Sequence, residues 1–184
     1  MTFWGYRRPD GSVGTRNYVG VLSTVVCANE AARAIAGQVK GAVAFSHQQG
    51  CCQTPPDLVR VTQALCGLVQ NPNLAAVVLV GLGCEGTDVA QVVKAATDCG
   101  KPVHVLALQG EGGAARTTAQ GVLAAQQMAI EASRLRREEC PVSELVLGLK
   151  CGSSDTTSGL AANPALGVAV ERLIGEGGTA ILGE

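Results

Sequence analysis

Short apolar runs alternate with stretches of helical spacing along this chain. Residues 17–24 (NYVGVLST) read as a buried strand, and residues 28–39 carry helical spacing that ends near Gly41. Residues 42–46 make a short second strand. The polar loop 47–54 leads into Pro55-Pro56, a favourable helix start. In the helix that follows, Leu58, Val61, Leu65 and Leu68 share one face, and Asn71-Pro72 stops it. Residues 75–81 (AAVVLVG) predict a third strand rich in β-branched side chains, followed by a helix over about 88–97 that Gly100 ends. Residues 102–108 predict a fourth strand. Residues 114–139 predict one long helix, with Arg134, Arg136 and Arg137 in last turns that suit a helix C-terminus. Cys140-Pro141 breaks the pattern at a candidate domain junction. A fifth strand over 144–149, a fifth helix over 164–174 and a sixth strand over 179–182 complete the pattern.

Strict alternation of strand and helix predicts an α/β fold: a Rossmann-like parallel sheet with right-handed crossovers and helices on both faces. Residues 1–16 read as an irregular basic arm with a turn at Pro9-Asp10-Gly11. Residues 17–140 read as an α/β domain. Residues 141–184 read as the start of a C-terminal α/β domain, or as a continuation of the same sheet. A last strand with no helix after it predicts a chain truncated at its C-terminus or completed by a partner. The segments VLVGLGCEGTD (78–88) and LVLGLKCGSSD (145–155) share Gly-Leu-x-Cys-x-x-Ser/Thr-Asp. A duplicated half and convergence on one turn both account for that match.

Composition narrows the class. The 184 residues are 47% hydrophobic but only 3% aromatic, so the core is built from Val, Leu, Ile and Ala. A net charge of -1 without a basic run argues against nucleic-acid binding as the main task. No run reaches the roughly 18 apolar residues of a membrane span. The first sixteen residues lack the apolar stretch of a signal peptide, which predicts a cytoplasmic protein. There the eight cysteines are mostly reduced, and serve as metal ligands, reactive thiols or small core residues.

Four of them hold corresponding places. Cys27, Cys51, Cys84 and Cys151 each follow a strand-like run and precede a helix-like one. The carboxyl ends of parallel strands share one edge, and ligands bind in the crevice there. The four thiols are thus candidate ligands for a soft or borderline metal such as iron or zinc, or for an iron–sulfur cluster. His47 is a candidate ligand or general base in the same region. Cys51 and Cys52 are adjacent, and side chains of adjacent residues mostly point apart, so one of them at most is expected to serve the site. Gly81-Leu-Gly-Cys-Glu-Gly86 fits a dinucleotide fingerprint, but the acidic residue about twenty positions on is missing, which favours a plain tight turn. Glu85 and Gln109 add oxygen groups to the edge. Lys150-Cys-Gly-Ser-Ser-Asp155 combines a cation, a thiol, hydroxyls and a carboxylate; Asp155 equally suits a cap. Arg7, Arg8 and Arg16 are candidates to fold over the crevice and pair an anionic substrate. Cys66, Cys99 and Cys140 read as packing positions.

GYRRPDGSVGTRN (5–17), the His47…Gly50-Cys51 loop, Asn71-Pro72-Asn73, Gly81-Leu-Gly-Cys-Glu85, LGLKCGSSD (147–155), Ser158-Gly159 and Ala162-Asn-Pro-Ala165 resemble the altronate/galactarate dehydratase family. The sulfolactate sulfo-lyase large subunit is similar to the same motifs. The resemblance implies a metal-dependent hydro-lyase that converts a sugar acid such as altronate or galactarate to a 2-keto-3-deoxy acid, using Fe2+ or another divalent metal. Residue type and location, rather than the resemblance, make Cys27, Cys51, Cys84 and Cys151 candidate metal ligands and His47, Lys150 and Glu85 candidates for catalytic roles. On the same grounds Arg16, Asn17, Gln109, Ser154, Asp155 and Asn163 are candidate substrate contacts. Family chains run well past this length and often carry a small N-terminal domain, so a missing C-terminal region or complementary subunit is expected, and homo-oligomers are a further expectation. Cys52 and Ser153 depart from the pattern, standing where the family often has glycine. Two other readings stay open: a sulfo-lyase acting on a sulfonated hydroxy acid, and a non-catalytic subunit or binding module that needs a partner chain.

Overall fold

The computed structural model describes residues 1–150, 152 and 155–183. The chain divides into two units: residues 6–136, and residues 1–5 with 137–184. Its strands are β1 (Thr2–Arg7), β2 (Val13–Gly14), β3 (Tyr18–Ser23), β4 (Ala42–Phe45), β5 (Leu74–Gly81), β6 (Val103–Ala107), β7 (Glu138–Pro141), β8 (Val146–Lys150) and β9 (Thr179–Gly183). Its α-helices are α1 (Asn29–Ala36), α2 (Pro55–Gln70), α3 (Val89–Asp98), α4 (Ala114–Arg134) and α5 (Asn163–Gly175).

In the larger unit, four strands pair in parallel in the order β4-β3-β5-β6. Alternation along the central strands splits the core into two layers. Val19 and Val21 of β3 and Val78 and Val80 of β5 pack with Ile35 of α1 and Ala125 of α4. Leu22 of β3 and Val77 and Leu79 of β5 pack with Leu65 and Val69 of α2 and Val92 and Ala96 of α3. Helices therefore cover both faces, as the near-continuous apolar run of β5 requires. Each fully buried Val, Leu or Ile of these layers contributes about 1.5–3 kcal/mol relative to exposure. The α/β class with a parallel sheet is as the alternation predicts.

Two expectations need correction. The first sixteen residues are not irregular. Residues 6–14 form a short hairpin, with Tyr6 opposite Gly14 and Arg7 opposite Val13, closed around Pro9-Asp10-Gly11. A single-sequence pattern hides it because the hairpin is held by long-range bonds rather than by its own apolar alternation. Nor does α4 run to residue 139. It ends at Arg134, Leu135 is extended, and residues 138–141 form β7, antiparallel to residues 2–5 of β1. Pro141 cannot continue a helix, and Cys140, 0% exposed, anchors β7 by burial.

In the smaller unit β8 and β9 pair in parallel as a two-stranded sheet, and Leu173 of α5 is buried. Among the described residues, no helix is long and apolar enough to cross a membrane.

Candidate functional site

Parallel pairing places the carboxyl ends of β3, β4, β5 and β6 on one edge of the sheet. Cys27 follows β3, Cys51 and Cys52 follow β4, Cys84 follows β5 and Gln109 follows β6. All four of these cysteines are exposed. The Cys51 thiol has a raised pKa, first from its hydrogen bond with Cys52, then from the charge of Cys52 and burial, and further from the nearby Cys27 and Cys84. Cys27 and Cys84 thus both lie within electrostatic reach of Cys51. Cys151 lies outside the described residues, as does Ser154. Among the described residues, no group of three or more His, Cys, Asp or Glu side chains is arranged to hold a metal ion.

Cross-links among the loops hold this edge together. The Val26 N–H donates to the Gln49 carbonyl at 2.9 Å, and the Gly86 N–H donates to the Gly50 carbonyl at 3.1 Å. The Thr87 hydroxyl donates to the Thr24 carbonyl at 2.8 Å, and the Gln109 N–H donates to the Leu82 carbonyl at 3.0 Å. Ser23 Oγ donates to Asn29 Oδ1 at 2.6 Å, while Asn29 Nδ2 donates to the His47 carbonyl at 2.8 Å. Ser23, Thr24, Asn29 and Thr87 are all buried. Sequence reasoning missed these four. Their signal was a polar Ser-Thr pair ending an apolar strand, with an asparagine at the start of the next helix. Gly50 closes the lacing: its φ is +95°, and a Cβ there would stand 2.7 Å from the Thr24 carbonyl oxygen.

His47 and Glu85 serve this scaffold. The Gln49 N–H donates to His47 Nδ1 at 3.1 Å, which puts the ring proton on Nε2, and Nε2 donates to the Ser23 carbonyl at 2.9 Å. Both ring nitrogens are thereby engaged by backbone, so the expected base or ligand nitrogen is not free in this arrangement. The Glu85 carboxylate accepts from the Gly83 N–H at 2.6 Å, the Leu82 N–H at 3.2 Å and the Thr24 hydroxyl at 2.8 Å. Burial raises its pKa, but hydrogen bonds from Gly83, its own N–H, Thr24 and Leu82 outweigh that and the net shift is downward. Gly81 makes room: a Cβ there would meet Glu85 Oε1 at 2.0 Å. In this arrangement the Glu85 carboxylate braces the turn after β5 through the Leu82 and Gly83 N–H groups.

A depressed carboxylate pKa stabilises the fold above the unfolded-state value, about 4.3, and that stabilisation is lost as pH falls through the folded value. Glu85→Gln is expected to lower the urea midpoint at pH 7 and to flatten the loss of stability between pH 5 and 3. Urea melts of both proteins across that range check it; equal pH slopes would rule out the carboxylate's role.

The basic arm lies elsewhere. Arg16 and Asn17 immediately precede β3, at the amino edge of the sheet, opposite the thiols. Arg16 is exposed, and its N–H donates to Asn73 Oδ1 at 2.9 Å. Asn17 Oδ1 accepts from Arg8, and its Nδ2 donates to the Ala132 carbonyl at 2.7 Å. The expectation that Arg7, Arg8 and Arg16 fold over the crevice is therefore corrected: the hairpin docks through Arg8 against the segment just before β5, while Arg7 donates to the Gly11 carbonyl within the hairpin. A cavity of about 820 Å³ at this edge is lined by Arg7, Arg8, Ala76, Lys101, Pro102 and Met128 among others, and is mainly apolar. A smaller one, about 380 Å³, lies beside Gly81, Glu85 and Asp88, with Val105, Leu106 and Ala107 of β6 in its wall. The smaller cavity matters more for chemistry, because it adjoins the loop that carries Cys84.

Gln109 stays at the carboxyl edge, its Oε1 against Gly83. Lys150, Asp155 and Asn163 belong to the smaller unit. Lys150 ends β8 and is exposed, and Asn163 is exposed at the start of α5. Asp155 caps its own turn: Oδ1 accepts from the Thr157 hydroxyl at 2.6 Å and the Ser158 N–H at 2.9 Å, and these bonds lower its pKa.

Sequence comparison decides the lineage. Residues 5–133 match the model of the D-galactarate dehydratase/altronate hydrolase second domain, and residues 142–184 match that of the D-galactarate/altronate dehydratase C-terminal domain. The chain belongs to the D-galactarate/altronate dehydratase family. It is 42% identical over 183 residues to the (2R)-sulfolactate sulfo-lyase subunit beta of Chromohalobacter salexigens, covering 100% of this chain and 46% of that protein. It is 34% identical to the altronate dehydratase of Bacillus subtilis, covering 100% of this chain and 38% of that enzyme. It is 32% identical to the galactarate dehydratase (L-threo-forming) of Escherichia coli, covering 100% of this chain and 39% of that enzyme. The chain thus spans less than half the length of these family relatives.

Proposed function

We propose that this chain supplies a lyase site for a hydroxylated carboxylic acid, with sugar acids of the altronate or galactarate type as the substrate class. The supporting observation is the gathering of Cys27, Cys51 and Cys84 on the carboxyl edge of a domain whose family names dehydratases. The reaction removes the proton α to a carboxylate and expels the β-hydroxyl as water, leaving an enol that becomes a 2-keto-3-deoxy acid. The α-proton is weakly acidic, so the enediolate needs stabilisation as it forms. The donor chemistry of these three thiols suits iron or another divalent ion, although the described residues do not form a finished cage. Such an ion, if held there, would supply Lewis-acid stabilisation of the enediolate. In this reading Gln109, at the same edge, hydrogen-bonds a substrate hydroxyl, and the loop bonds to Thr24, Glu85 and Thr87 keep the thiol loops in register.

A second reading has its own support. The 42% identity to a sulfo-lyase subunit exceeds the 34% and 32% to the two dehydratases. The same α-deprotonation would then expel sulfite from a sulfonated hydroxy acid.

The test is metal content of anaerobically purified protein beside Cys84→Ser, with turnover of altronate, galactarate and sulfolactate, alone and with a chain supplying the rest of the family length. Stoichiometric iron that falls severalfold in Cys84→Ser, with keto-acid formation, supports the dehydratase; sulfite release supports the second reading. Unchanged metal in the variant, or no turnover of any of the three acids in either format, sinks both.

A further inference from the structure

Adjacent side chains on extended backbone point to opposite sides. Cys51 and Cys52 do not: their sulfurs lie 3.6 Å apart in hydrogen-bond contact. The reason is local. Cys52 is the one non-glycine residue among those described with a positive φ, +53°, two positions after Gly50 at +95°. This left-handed turn brings both thiols to one side of the loop, and both are exposed. The premise that these two side chains point apart is thereby corrected.

We infer that Cys51 and Cys52 form a dithiol modification site that a low-molecular-weight disulfide oxidises reversibly to a Cys51–Cys52 disulfide. One thiol, as thiolate, attacks the reagent disulfide, breaks its S–S bond and releases one reagent thiol. The second cysteine sulfur attacks the resulting mixed disulfide and releases the other. The new bond joins Cys51 to Cys52, two cysteine thiols are oxidised, and both protons leave on the two reagent thiols. Closing the pair takes the sulfurs from 3.6 Å to about 2.05 Å. Across a trans peptide their Cα atoms are about 3.8 Å apart, below the usual disulfide span. The product is therefore strained and readily reduced, which suits a switch rather than a staple. The inference does not rest on the lyase reading, although it uses Cys51, one of the three thiols that reading assigns to the metal; the test reads the thiols of metal-free protein and not turnover, so the two can fail separately.

The test uses the 184-residue chain dialysed against EDTA, exposed to excess glutathione disulfide, alkylated and cut with trypsin. Residues 41–60 form one tryptic peptide that contains these two cysteines and no other. The expected result is loss of two hydrogen atoms from that peptide with no alkylation, reversed to double alkylation by dithiothreitol. A urea-unfolded sample at the same glutathione ratio is expected to show less of this form. The proposal is overturned if the peptide stays doubly alkylated, if it carries glutathione as its stable product, if it is cross-linked to the peptide of Cys27 or Cys84, or if unfolding leaves the oxidised fraction unchanged.

Discussion

Arg8→Ala is expected to lower the unfolding free energy by about 1–3 kcal/mol, the range for leaving buried hydrogen-bond acceptors without their donor. Arg8 is 4% exposed. Its Nε donates to the Pro72 carbonyl at 2.7 Å, one terminal nitrogen to Asn17 Oδ1 at 2.8 Å and the other to the Arg16 carbonyl at 3.0 Å. Its guanidinium carbon also lies 5.8 Å from the Tyr6 ring centre. Truncation leaves three acceptors without their donor and detaches the hairpin from the amino edge. Arg8→Lys is expected to recover only part of the loss, because a single ammonium cannot match a planar fork of three bonds. Urea unfolding of the three proteins reads this directly. A loss below about 1 kcal/mol for Arg8→Ala would mean that the hairpin does not depend on the network.

The second large effect is a pH dependence at Lys101. This lysine is 3% exposed, and its Nζ donates to the Val69 carbonyl at 2.7 Å and the Asn71 carbonyl at 2.6 Å, at the C-terminus of α2. A cation there meets the negative end of the helix and satisfies carbonyls with no intrahelical partner. Burial lowers its pKa to about 8; nearby Cys99 and Asp10 raise it, and Arg8 lowers it further. Between that value and its ordinary 10.5, the unfolded chain binds more protons than the folded one, so stability from this group rises with pH and falls again as pH drops toward 8. Relative to Lys101→Met, wild type is expected to gain up to about 3 kcal/mol across the window. Both proteins are best compared in a Cys99→Ala background, because that thiol interacts with Lys101 and has a raised pKa of its own. Parallel stability curves from pH 8 to 10.5 would refute the assignment.

The same two residues show where reading the sequence stops. Arg7, Arg8 and Arg16 sit in a polar stretch, and polarity alone suggests an arm free to reach an anionic substrate. The partners of Arg8 include Pro72, sixty-four positions away, and those of Lys101 lie thirty or more positions back. No local pattern encodes such bonds. The carboxyl-edge thiols were legible for the opposite reason. Alternating strand and helix implies parallel pairing, and parallel pairing alone puts the residues after β3, β4 and β5 on one edge, wherever they fall in the chain. His47 and Glu85 were legible as polar groups in the right loops but not in role, because the choice between free chemistry and backbone bonding depends on which N–H groups the folded loops leave unpaired.

By itself, then, the sequence determined the α/β class, the order of the strands and helices of the larger unit, and the shared edge of Cys27, Cys51 and Cys84, because apolar periodicity and parallel topology are nearly local properties. Its motifs also carried the family resemblance. Tertiary structure alone decided that the basic hairpin closes the amino edge, that residues 138–141 pair with β1 instead of extending α4, that His47 and Glu85 brace the loops, and that a positive φ turns Cys52 toward Cys51. Each of these rests on contacts between distant segments or on one backbone angle, and the burial and hydrogen bonding of the whole chain select them.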